Sequence, residues 1–135
     1  MGKLRTIALV YMVILLAAAS LNYVPGLTDA EGRAFGVFAL DTFDDLLHIA
    51  SAAWAGIAAF TSSRAARYFL LYFGILYLTD GLLGLATGSG YLDLGIMKHG
   101  MVELPLKFKI LANMPHIGGG GFAIFSAIRF RSEVR

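Results

Sequence analysis

Three residues with the chemistry of a site stand at a common depth in a chain that is otherwise mostly apolar: His48, Asp80 and His116. Two imidazoles and a carboxylate suit a first-row metal ion in ligand type. Either imidazole alone is an axial ligand for haem or a chlorophyll-type pigment. Asp44 and Asp45, just ahead of His48, extend the carboxylate set. The two histidines recur in one local frame. Asp45-Leu46-Leu47-His48 and Asn113-Met114-Pro115-His116 each place Asp or Asn three residues before His, and small residues follow in both, Ala50 to Ala53 and Gly118 to Gly121. The offset is 116 − 48 = 68 residues. Asp and Asn are strong helix caps, so the plainer reading makes Asp45 and Asn113 N-caps, with each histidine reaching back as Glu does in a capping box. Pro115 then falls in the first turn, where its missing N–H costs little. That reading needs no ligand.

The elements that must position these residues are membrane helices. Of the 135 residues, 58% are hydrophobic and 15% charged, against about 45–50% and about 25% in an ordinary soluble chain; the mean hydropathy is +0.72. Four apolar blocks are expected to span a bilayer: about 4–24, 46–62, 68–86 and 114–130. Each is long enough for a hydrocarbon core about 30 Å thick, and single spans must be helical to pair their backbone groups in lipid. The first block resembles a signal peptide, with Lys3 and Arg5 ahead of it and Ala17 to Ala19 as a cleavage site. Its apolar run is long for that role, so it is expected to remain as an uncleaved span.

Lysine and arginine flank the blocks asymmetrically. Lys3, Arg5, Arg64, Arg67, Arg129, Arg131 and Arg135 lie on one side, which predicts that both termini are cytoplasmic. The outer connections dilute their basic residues with Asp29, Glu31, Asp41, Asp93 and Glu103. They carry aromatics and methionines, as expected of loops at the headgroup level. At about 1.5 Å per residue, His48 lies about 24 Å from Arg64, His116 about 20 Å from Arg129 and Asp80 about 20 Å from Arg67. All three fall in the outer part of the core, where a carboxylate normally faces the protein and finds a partner. The expected partners of Asp80 are His48 and His116, with Thr79 and Asn22 as neutral candidates.

Other chemistries are poorly served. There are no cysteines, which removes disulfides, thiolate metal sites and cysteine nucleophiles. The serines lack an elbow motif or a base, and Gly118 to Gly121 lack the Lys and Ser/Thr of a phosphate loop. The basic residues sit at block ends rather than in a patch, so nucleic acid is not an expected partner. Gly74, Gly81 and Gly88, at heptad spacing, read as close helix packing.

Val10-Tyr11-Met12 and Leu76-Tyr77-Leu78 extend the repeat upstream, so the chain reads as two helical hairpins in tandem, related by an axis along the membrane normal. The segment Gly36-Val37-Phe38-Ala39-Leu40-Asp41-Thr42-Phe43-Asp44-Asp45-Leu46-Leu47-His48 resembles the signature of a family of small four-helix bacterial membrane proteins known only as a domain of unknown function. That family shows a Gly/Phe-rich loop, Asp-Thr, then Asn-Leu-Leu-His. Asp45 stands here where it has Asn, and Asn113 keeps the Asn in the second copy. The resemblance implies the fold and no activity.

The expectation is therefore a single all-α domain over residues 1–135, an integral membrane four-helix bundle of the inner membrane. It would serve as a non-catalytic structural or accessory subunit, or a binding module, with the bilayer and other membrane subunits or itself as partners. Two alternatives stand beside it. One is a cofactor-binding protein holding a metal ion with His48, Asp80 and His116, or a haem or chlorophyll-type pigment with His48 and His116. The other is a small transporter.

Overall fold

The computed structural model describes residues 1–38 and 41–134; Ala39 and Leu40 of the signature segment, and Arg135 of the last basic flank, lie outside the described residues. Among the described residues the regular structure is helical. Four long helices, α1 (Lys3–Ser20), α2 (Thr42–Thr61), α3 (Ser63–Thr87) and α5 (Leu106–Arg129), are accompanied by the short α4 (Gly95–His99) between α3 and α5 and by 3-10 turns after α1 (Leu21–Tyr23) and after α5 (Arg131–Glu133). Lys3–Tyr23 and Ser63–Thr87 are long and apolar enough to cross a membrane, with mean hydropathies of 2.1 and 1.7. In α2 and α5 the 20 and 24 residues match the length, but Asp44, Asp45 and His48 in the one and Lys107, Lys109, Asn113 and His116 in the other lower the hydropathy.

The helix boundaries differ from the expected spans in ways that local chemistry explains. Ser62 is at once the last cap of α2 and the first of α3: its N–H donates to Ala58 O and its hydroxyl accepts from Ala65 N at 3.0 Å. Arg64 and Arg67 thus belong to the first turns of α3, not to a loop. Asp45 is not a cap. The helix opens one turn earlier on a reciprocal box, with Asp41 Oδ1 accepting from Asp44 N (2.9 Å) and Asp44 Oδ2 from Asp41 N (3.2 Å). Asn113 is not a cap either, because α5 begins at Leu106 behind Pro105; Asn113 and Pro115 lie inside it. The Asn113 amide donates to Lys109 O within the helix, and its side chain packs against Gly84 of α3, where a Cβ would come within 2.0 Å of Asn113 Oδ1. That packing holds the extra turns against the proline.

The buried positions of α1 (Leu4, Ala8, Tyr11, Leu15, Ala19) recur every three or four residues on one face. Helix α1 lies mainly on α2 and α3 on α5, while α2 and α1 both meet α3. The α3–α5 contact is close. A Cβ on Gly74 would sit 2.8 Å from Gly120 O, and one on Gly120 2.5 Å from Leu78 N. Gly81 faces Ile117 and His116 in the same seam. Gly88, grouped with Gly74 and Gly81 by spacing, instead ends α3 with a left-handed φ of 82°. Helices α1 and α5 barely meet. They are tied at one end by Glu133, whose carboxylate accepts from Lys3 N (2.9 Å) and Leu4 N (3.0 Å), and midway by the Tyr11 hydroxyl, which donates to Gly119 O. Beyond that tie they part.

Candidate functional site at the outer end of the helices

Asp80, on the last turns of α3, is 5% exposed and is the hub of the site. Its Oδ2 lies 2.5 Å from His116 Nδ1 on α5. Its Oδ1 accepts from the backbone N–H groups of Tyr91 and Leu92, each at 2.8 Å. The chain must fold back tightly to present those amides. Gly88 supplies the reversal, and Gly90 passes so near that a Cβ would stand 2.5 Å from Asp80 Oδ1. Three donors satisfy a buried carboxylate that would otherwise be costly to leave unpaired. Thr79 bonds elsewhere, to Ile75 O, Leu76 O and the Tyr91 hydroxyl.

Of the expected cluster, Asp80 and His116 are brought together and His48 is not bonded to either. His48, on α2, is 8% exposed, and its Nδ1 is buried without a hydrogen-bond partner. Asp45, one turn before it, receives the Tyr23 hydroxyl at 3.2 Å on Oδ2. Among the described residues no three His, Asp or Glu side chains converge as ligands for one ion. The expected metal set of His48, Asp80 and His116 is thus not assembled, because Asp80 spends both oxygens on His116 and the loop amides.

Two cavities meet at the histidines. One, of about 490 Å³, lies under the loops that flank α4 and has mixed walls, with Asp41, Asp44, Asp93 and His99 among apolar residues. Here burial pushes Asp44 up to about 7, aided by the nearby charges of Asp93 and Asp41. Asp41 is held below its ordinary value by the backbone N–H of Asp44, with Lys98 adding to the effect. The other cavity, of about 200 Å³, lies where α1 and α5 part and is almost wholly apolar. Tyr11, Phe73 and Tyr77 form its inner wall and His48 and His116 its polar groups. Phe73 and Tyr77 are stacked with ring centroids 4.1 Å apart, and Tyr77 meets the His116 ring edge-on at 5.0 Å. Taken alone, this cavity is smaller than the about 300–1,000 Å³ of pockets for drug-sized ligands, so a haem or chlorophyll-type pigment would not be enclosed by it.

Sequence reading missed the loop amides on Asp80, since backbone donors carry no residue signature. It also missed the Asp41–Asp44 box, although Asp-Thr-Phe-Asp has the right spacing for one. Tyr11 and Tyr77 stood out only as repeat markers; the Tyr77 hydroxyl lies 2.9 Å from Ser51 Oγ. No curated protein and no solved structure matches the chain. It belongs to the family described as Domain of unknown function (DUF4383), whose model matches residues 5–102 and so takes in His48, Asp80 and the Tyr91–Leu92 loop, while His116 lies beyond the match.

Proposed function

We propose that the chain is a four-span protein of the inner membrane, with both termini cytoplasmic, acting as a non-catalytic accessory subunit or small binding module. The observation that carries this reading is the extent of apolar surface that the helices leave exposed. Large apolar side chains are exposed on every long helix, among them Val13 (60%), Ile57 (69%), Phe60 (67%), Tyr72 (53%) and Phe125 (56%). The interior combines many alanines and glycines with Ser51, Asp80 and Ser126, around a few large side chains such as Leu4, Phe69, Leu70 and Phe73. A soluble monomer rarely leaves so large an apolar surface in water, whereas helices in lipid pack through small residues. The lengths agree: 18 to 25 residues give about 27–37 Å.

The two-hairpin reading is supported by contacts of like kind in the two halves. Their partner residues on the second helices are 68 residues apart, while the arginines are 67 − 5 = 62 and the tyrosines 77 − 11 = 66 apart. Arg5 Nε donates to Ala59 O (2.5 Å) and Arg67 Nε to Ala127 O (2.9 Å), where 59 + 68 = 127. Tyr77 meets Ser51 and Tyr11 meets Gly119, where 51 + 68 = 119. Each hairpin thus lends a tyrosine to the other, as a two-fold axis along the membrane normal would require.

Reporter fusions test the topology. A reporter active only outside the cytoplasm should be silent at residue 1 and at residue 134 and active when inserted at Gly32 or Gly100. Activity at either terminus, or recovery of the chain in the soluble fraction, overturns the reading.

A further inference from the structure

We propose that the apolar cavity between α1 and α5 binds an uncharged, lipid-soluble ring compound with a carbonyl or hydroxyl edge, of the quinone and hydroquinone class. The proposal rests on the membrane reading above, because the ligand would enter sideways from the outer half of the bilayer. Size is the first argument. A cavity of about 150 Å³ takes up benzene, so about 200 Å³ accommodates one substituted ring and no macrocycle. The aromatic wall of Tyr11, Phe73 and Tyr77 suits a flat ring.

The second argument is the polar pair at one end. His48 Nδ1 is buried with nothing to bond, and a buried polar group without a partner is rare and costly. His116 has its Nδ1 engaged by Asp80, so Nε2 is its uncommitted nitrogen. Imidazole nitrogens can donate to a quinone carbonyl or accept from a hydroquinone hydroxyl. An acyl chain would leave His48 unpaired. A phosphate headgroup is not matched either, since no Lys or Arg lines the cavity. Access is the third argument. Helices α1 and α5 separate above the Tyr11–Gly119 tie, and Ile14 and Pro115 stand exposed at the rim. Gly119, on the cavity wall, leaves open space where a side chain would stand, with nothing within 4 Å of a built Cβ.

The test uses the full chain in lipid nanodiscs and a decyl-tailed benzoquinone as probe, read by quenching of Trp54, the single tryptophan. Saturable quenching is expected. His48→Leu should weaken it by about tenfold, as the loss of one buried hydrogen bond does, and His48→Gln should restore part of it. Ala18→Phe, which fills the cavity, should abolish saturation while thermal unfolding stays cooperative. Decylbenzene, with no polar edge, should compete poorly. Non-saturable quenching that is alike in wild type, His48→Leu and Ala18→Phe overturns the proposal, as does equal competition by decylbenzene. If His48→Leu fails to fold, Ala18→Phe and the decylbenzene comparison decide. Failure of binding in a chain with the expected reporter topology removes this site alone; a chain found outside the membrane removes both readings.

Discussion

His116 Nδ1 lies 2.5 Å from Asp80 Oδ2, and this contact joins the outer end of α3 to the middle of α5 while the other carboxylate oxygen holds the loop at Tyr91 and Leu92. One side chain therefore fixes two helices and the connection between them. Asp80→Ala should unmoor all three, at about 1–3 kcal/mol for each buried group left unpaired. Asp80→Asn keeps an oxygen for the two amides and an N–H for His116, so its loss should be less than half as large. Hydrogen exchange at the Tyr91 and Leu92 amides checks this: fast in Asp80→Ala, near wild type in Asp80→Asn.

The two tyrosine ties should behave as equivalents. Tyr77→Phe removes the bond to Ser51, and Tyr11→Phe the bond to Gly119. Interhelical hydrogen bonds in membranes average about 0.6 kcal/mol, so each change should cost about that much and the two should add. Ser51→Ala should cost more than Tyr77→Phe, because it strands the buried Tyr77 hydroxyl, whereas a stranded helical serine can turn back to the carbonyl one turn earlier. A double-mutant cycle on denaturation in mild detergent measures all four values. A Tyr11→Phe loss several times the Tyr77→Phe loss would break the equivalence.

The glycine run of α5 divides sharply. Gly120→Ala places a methyl 2.5 Å from the backbone N of Leu78, which α3 can relieve only by moving away, at about 1–3 kcal/mol. Gly118→Ala and Gly121→Ala meet nothing and should be neutral or stabilising by up to about 1 kcal/mol, since alanine favours the helix. Thermal denaturation of the three single variants separates them.

Much of this site was legible from residue type and depth. Asp80, a carboxylate in an apolar helix, had to find a partner, and His116 was at the right height to be one. The positions of Asp45 and Asn113 misled because each stands where an apolar run begins, and hydropathy marks where lipid starts rather than where a helix does. The helix starts are set by Asp41 and Asp44 in one case. In the other they are set by the stop at Pro105 and by the fit of Asn113 on Gly84. The unpaired state of His48 was not legible at all, because Asp80, its expected partner, is taken up by His116 and by backbone amides of Tyr91 and Leu92 that carry no residue signature.

The outer end should respond to pH through Asp44, which lies in the first turn of α2 ahead of the apolar stretch beginning at Leu46. Its folded value is pushed up to about 7 by burial, with Asp93 and Asp41 adding, and its ordinary value is 3.8. The folded state therefore holds this proton more tightly than the unfolded chain does. The resulting stability is complete below about pH 4 and is lost as pH rises through about 7. Asp41 works in the opposite sense, since its carboxyl is held low, and its contribution disappears only below the ordinary carboxylate range. Wild type should then lose thermal stability between pH 5 and pH 8 relative to Asp44→Asn, which keeps the acceptor for Asp41 N without the charge. Parallel curves for the two proteins would show that Asp44 ionises freely in the fold.

Arg5 and Arg67 sit where two demands coincide. Each donates from Nε to a carbonyl in the last turn of the neighbouring helix, Ala59 or Ala127, where unpaired acceptors and the negative end of the helix dipole favour a cation. Each also belongs to the basic flank that should hold its end of the chain in the cytoplasm. Lysine separates the two roles, because it keeps the charge and lacks the planar fork. Arg5→Lys with Arg67→Lys should retain wild-type reporter topology and lose about 1–2 kcal/mol per site, as expected for hydrogen bonds from charged donors. Arg5→Gln with Arg67→Gln should lose the same stability and, in addition, show mixed topology at the N-terminus. If the lysine pair inverts the chain, the guanidinium contacts rather than the charges set its orientation.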